Sequence, residues 1–337
     1  MSLSERLDHF QRHNPVVAFP IATIYKFFDD AGNYLAAALT YYALVSVLPL
    51  LLLASTVLGF VLSGHPGLQS ELLESAVAQL PVIGPQLSAP SGMGTGVGLA
   101  VGLLGSTYGA LGVAQALQHA GNTIWQIPRN SRANPFHGRF RSLVLVAIAG
   151  FAMLLAVIGI AVLHNLFQQS AMSRWLIFLG GVVLGSLFLL YAFQVAPTKP
   201  IPWRKLVPGA VIAAILLELL QNFSYLYVDH VVRRANDVNA IFAVVLGLLA
   251  YLYVAATIVV LAMEVNVVYA ERLWPRALLT PFTDNVELTE ADRRTYTGMA
   301  TSQRTKGFQV IRANYDEQPR EERDVETRSK PDEESRQ

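Results

Sequence analysis

Leu206–Val228 reads LVPGAVIAAILLELLQNFSYLYV and Val238–Ala270 reads VNAIFAVVLGLLAYLYVAATIVVLAMEVNVVYA, two apolar runs joined by a short charged link. At about 1.5 Å per residue, the first is long enough to cross a hydrocarbon core of roughly 30 Å. Its one carboxylate, Glu218, then falls near mid-depth. A charged acid there costs at least about 2.5 kcal/mol, so the side chain must face protein or water rather than lipid. Gln221, Asn222, Tyr225 and Asp229 follow at spacings of three and four and share its helix face. The second run has no charge before Glu264, and its 33 residues must tilt or protrude, because a helix of about 50 Å exceeds the bilayer. Tyr251 falls near mid-depth. Glu264 falls at the cytoplasmic boundary beside Tyr269, Arg272 and Trp274, which read as interfacial anchors. The simpler reading of Glu264 is a solvated or capping carboxylate.

The same character extends along the chain. Of 337 residues, 53% are hydrophobic and only 15% charged, with a positive mean hydropathy, which sets the chain apart from soluble domains. The net charge of +1 conceals a segregation, since about half of all Lys, Arg, Asp and Glu lie after residue 270. There is no cysteine, so disulfides, thiolate catalysis and cysteine metal sites are excluded.

Residues 1–33 place apolar side chains at roughly helical intervals among Arg6, Arg12 and Lys26, as interfacial helices do, and are expected to be retained rather than cleaved as a signal peptide. A first span at 34–62 carries Pro49 near its centre, where a kink is expected. Between Ser63 and Thr95 an amphipathic piece bounded by Pro66 and Pro81 reads as a short surface helix. The second span, 96–119, has glycines at 98, 102, 105, 109 and 112, a small-residue spacing that lets helix backbones approach closely. A glycine-rich phosphate loop does not fit, because no strand precedes these residues and no GK[ST] closes them. Spans at 142–163 and 175–196 are almost wholly apolar and suit enclosure. Spans at 206–228 and 238–270 complete six, and residues 271–337 are polar enough to be mostly disordered. Twelve Lys and Arg fall in the N-terminus, alternate loops and the first few residues after the last span, against three in the other loops. That bias puts both termini in the cytoplasm.

Four passages together resemble the YihY/BrkB family of inner-membrane proteins, formerly labelled ribonuclease BN-like. They are TYYALVSVLPLLL (Thr40–Leu52), TIWQIPR (Thr123–Arg129), APTKPIPWRKLVPGA (Ala196–Ala210) and the last span from Asn239 to Asn266. The chain departs from the pattern at Ala250 or Tyr251 and at Ala262 with Met263, where relatives often carry Trp and Gly. The resemblance implies an all-α, six-helix protein of the bacterial inner membrane, sometimes linked to virulence or serum resistance. It supplies no mechanism.

Function is therefore argued from the spans. A mid-depth acid with polar residues at comparable depth elsewhere points to a transport or lipid-handling protein, whose cavity would be lined by Glu218, Gln221, Asn222, Tyr225, Ser46, Thr107, Tyr108 and Tyr251. The simpler alternative is that these groups satisfy one another as interhelical glue, at about 0.6–2 kcal/mol per bond. A structural or regulatory membrane protein acting through its tail is the other alternative. A nuclease is disfavoured, because the histidines at 9, 13, 65, 119, 137, 164 and 230 form no HxH or HExxH cluster. No enzyme activity and no cofactor are expected. The expected partners are membrane lipids and a small-molecule or lipid substrate, without nucleic acid, and a homo-oligomer is left open.

Overall fold

In the computed structural model the described residues are 3–61, 95–132, 134, 138–148, 150, 171–231, 237–278, 280 and 286–315. Among them there are helices and no strands. We number the helices α1 (Leu3–His13), α2 (Pro15–Asp29), α3 (Gly32–Val61), α4 (Thr95–Ile124), α5 (138–148), α6 (Ala171–Val195), α7 (Val207–Val231), α8 (Asp237–Glu271) and α9 (Glu290–Ser302).

The bounds of α3, α4, α6, α7 and α8 follow the apolar runs closely, because backbone that cannot reach water must bond to itself and a helix does so within one segment. Trp175–Val195 and Val245–Glu271 are long and apolar enough to cross a bilayer, and Val207–Phe223 is a shorter apolar stretch. The amphipathic piece between Pro66 and Pro81, most of the 142–163 run and the 232–236 link lie outside the described residues.

α3 and α4 make the most extensive helix pair, and α8 packs against α2, α3 and α7, while α6 leans on α7. The α3–α4 contact runs along the glycine face. A Cβ on Gly105 would come within 2.7 Å of Pro49, and one on Gly109 or Gly112 would overlap Ser46 or Tyr42. The small-residue spacing of the second span therefore serves close packing, as expected. Gly209 does the same between α7 and α8. Its N–H, one of the unpaired donors of the first turn of α7, donates to Asn266 Oδ1 at 2.7 Å, and a Cβ would meet the Ala262 carbonyl. α6 turns Trp175, Leu179, Val183 and Leu187 outward, which suits its enclosing role.

Residues 286–315 correct the expectation of a mostly unstructured tail. α9 begins with a capping box: Thr289 Oγ1 accepts from the Asp292 N–H, and the Asp292 carboxylate accepts from the Thr289 N–H. Asp292 and Thr295 are fully buried against the rest of the chain. A polar composition forecast solvation, but local capping and docking outweigh it.

Candidate functional site

Three helices meet at Glu218. The residue lies midway along α7, half-buried, and a Cβ on Gly181 of α6 would sit 3.0 Å from its Oε2. The Tyr251 phenol of α8 is within electrostatic reach. Asn222 Nδ2 donates to the Glu218 backbone carbonyl at 2.8 Å, so it bonds back to its own helix rather than to the carboxyl. Gln221 is half-buried on the adjoining turn, and the Tyr225 side chain lies outside the described residues. The remaining residues of the expected cavity are elsewhere. Ser46 donates to the Ala43 carbonyl at 2.8 Å and packs on Gly109, and Thr107 and Tyr108 are exposed on α4. Glu218 and Tyr251 are brought together; Ser46, Thr107 and Tyr108 are not joined to them by any interaction among the described residues.

Glu264 is where the structure departs most from the sequence reading. Instead of being solvated it is 0% exposed, facing α2. Lys26, also 0% exposed, extends from α2 with its Nζ 3.5 Å from Glu264 Oε2. The same ammonium bonds to Asp30, one turn on, and donates to the Ile124 carbonyl at the end of α4 at 3.1 Å. Burial opposes the ammonium charge, but Glu264 and Asp30 outweigh it and hold the Lys26 amine above the ordinary lysine value. Burial pushes the Asp30 carboxyl up from its ordinary value, while Lys26 pulls it down. Neither Glu264 oxygen, nor Asn266 Nδ2 one residue beyond Val265, has a hydrogen-bond partner among the described residues.

A second charged cluster borders the first. The Arg276 guanidinium, 1% exposed, donates through Nη2 to Asp29 at 2.9 Å and through Nε to Asp292, and lies over the Tyr296 ring. Burial opposes its charge, but Asp29 and Asp292 hold the group above the ordinary arginine value. Around it, Gln11 donates to the Arg276 carbonyl, Asp8 accepts from the Leu278 N–H at 3.0 Å, and Tyr25 donates to the Leu278 carbonyl. Gln126 Nε2 donates to the Thr295 carbonyl at 3.2 Å, and the Asn130 N–H donates to the Arg304 carbonyl at 3.1 Å.

The neighbouring link is tied to the same end. Asn122 Oδ1 accepts from the Thr198 N–H at 2.8 Å, and Arg141 Nη2 donates to the carbonyls of Val195 and Pro197, capping the C-terminus of α6. The N-terminal helices, the 125–141 loop, the 196–205 link and the residues after α8 thus meet at one end of the bundle.

The family model described as virulence factor BrkB matches residues 23–283. The chain belongs to that family. Among relatives, a UPF0761 membrane protein of Alcanivorax borkumensis is 28% identical over 264 residues, covering 74% of this chain and 59% of the relative. The inner membrane protein YhjD of Escherichia coli is 24% identical over 265 residues, covering 72% of this chain and 78% of YhjD. A UPF0761 membrane protein of Azotobacter vinelandii is 26% identical over 268 residues, covering 74% of this chain and 63% of the relative. The chain thus spans about three fifths of the length of these two UPF0761 relatives. No solved structure matches it. The matched region takes in Lys26, Asp29, Asp30, Glu218, Glu264 and Arg276, and stops short of α9. The chain is an integral membrane protein of the BrkB/UPF0761 family.

Sequence reasoning missed the partners of Glu264 and Arg276. One local signal was present, the Lys26 and Asp30 spacing of four on a single helix face, and another was the TEAD sequence of the capping box at 289–292.

Proposed function

We propose that the chain is a multi-pass transporter or lipid-handling protein of the bacterial inner membrane, without enzymatic activity, whose path passes Glu218. Six spans and two cytoplasmic termini complete this reading. The observation that carries it is the half-buried Glu218 carboxylate, midway along an apolar helix, at the meeting of α6, α7 and α8. A carboxylate persists at such depth where it faces protein or water. The topology has independent support, because the four segments that together hold those twelve Lys and Arg meet at one end of the bundle.

The natural absence of cysteine makes the test direct. Single cysteines replace Glu218, Gln221 or Leu219 in vesicles and are challenged with an impermeant thiol reagent. Reaction at 218 and 221 with protection at 219 is the expected pattern. Protection at all three overturns the path. Mass spectrometry of the protein purified with native lipids then identifies what stays bound.

A structural or regulatory role is the second reading, favoured by the docking of α9 onto Arg276 and Gln126. Transport that survives removal of residues 286–337 would discard it.

A further inference from the structure

The cluster of Lys26, Asp30 and Glu264 sets two carboxylates against one ammonium. All three side chains are at most 3% exposed. If every group were ionised, a net negative charge would be sealed in the protein, and both Glu264 oxygens would still lack a hydrogen-bond partner among the described residues. Two carboxylates within reach of one another resolve such a conflict by sharing a proton. A metal cation is a poor substitute. The Lys26 ammonium 3.5 Å from Glu264 repels it, and among the described residues no group of three acidic, His or Cys side chains could hold one.

We propose that Glu264 and Asp30, with Lys26 between them, form an exchangeable-proton site that fastens α2 to α8. With the proton bound the three groups are neutral in sum and stay dry. Loss of the proton leaves an uncompensated negative charge, which is relieved when water enters between the helices.

The surroundings limit what else can titrate there. On α2 the remaining acid is Asp29, which is paired with Arg276. α4 contributes the Ile124 carbonyl, and its only ionisable groups are the exposed Tyr108 and His119. α3 has no ionisable side chain other than its tyrosines, and the acids of α7, Glu218 and Asp229, are on later turns than Gly209, which faces Asn266. This inference does not depend on transport through the Glu218 path.

The test uses the full-length protein in detergent. Infrared difference spectra at neutral pH should show a protonated-carboxyl band that persists in Glu218→Gln and is lost or shifted in Glu264→Gln and in Asp30→Asn. Two acid variants are used so that a folding failure in one leaves the other to decide. Hydrogen exchange supplies the conformational half. After correction for intrinsic rates, α2 of the wild type should exchange faster as pH rises, whereas in Glu264→Gln, a mimic of the protonated acid, the rise should be absent. An unchanged carboxyl band in both acid variants overturns the proton site. Equal pH dependence of α2 exchange in wild type and Glu264→Gln overturns its role in fastening the helices.

Discussion

Lys26 shows how much a single side chain can mean and how little of that meaning is local. In sequence it is one more basic residue ahead of the first span and adds to the charge bias. In the structure it is buried between Asp30 and Glu264. The difference is physical: a buried pair between α2 and α8 depends on which helices pack together, and spacing along the chain carries no such information. Lys26→Met should therefore be severe, by about 3–5 kcal/mol, because it leaves the buried Glu264–Asp30 pair without its counter-charge. Lys26→Met combined with Glu264→Leu should recover part of that loss. Denaturant titration in detergent measures both, and a single-variant loss near zero would mean that water already reaches the cluster. Asp30 adds a pH signature. Its folded value is raised above the ordinary 3.8. Between 3.8 and the raised value the native state holds more protons than the unfolded state, so this group's stabilisation is present at low pH and declines as pH rises through that window. Asp30→Asn should remove that part of the slope of unfolding midpoint against pH.

At the level of the helix, small residues were the most legible feature. The spacing of Gly105, Gly109 and Gly112 forecast a close contact, and Pro49, Ser46 and Tyr42 of α3 fill that place. Gly109→Leu should overpack the contact and cost roughly 1–3 kcal/mol, read as a lower thermal aggregation midpoint. Gly150, with no described residue within 4 Å of the position of its Cβ, is the control and should tolerate alanine. The apolar helices were legible for the same reason, since length and composition suffice to specify a segment that bonds only to itself. α9 was not, because its charged and polar residues resemble a solvated tail until the reciprocal bonds of Thr289 and Asp292 are recognised. Thr289→Ala should weaken that cap by about 1 kcal/mol, and limited proteolysis between α8 and α9 should quicken accordingly.

For the molecule as a whole, orientation is the quantity to measure. On the proposed orientation, with both termini cytoplasmic, a cysteine at Ser131 should be protected from an impermeant reagent in intact cells, and one at Ser75, outside the described residues, should react. The reverse pattern inverts the topology. The Lys and Arg counts supply an expected orientation because the rule acts on loops one at a time. The set of residues expected to line a cavity could not be sorted in advance, because depth along a helix does not say which way a side chain turns. Glu218 and Tyr251 share a neighbourhood, while Tyr108 of similar depth is 65% exposed.

The bond between Arg276 and Asp29 joins residues 247 positions apart. A ribosome adding about 5–20 residues per second needs some 12–50 s to cover that distance. During this interval the N-terminal helices have been made and Lys26 has Asp30 beside it, but Arg276 does not yet exist to neutralise Asp29, nor Glu264 to complete the cluster around Lys26. The nascent chain must keep these charges hydrated until the residues that follow α8 have been made. Synthesis of the residues that follow α8, rather than insertion of any one span, therefore sets the moment at which this end of the protein can dehydrate and lock.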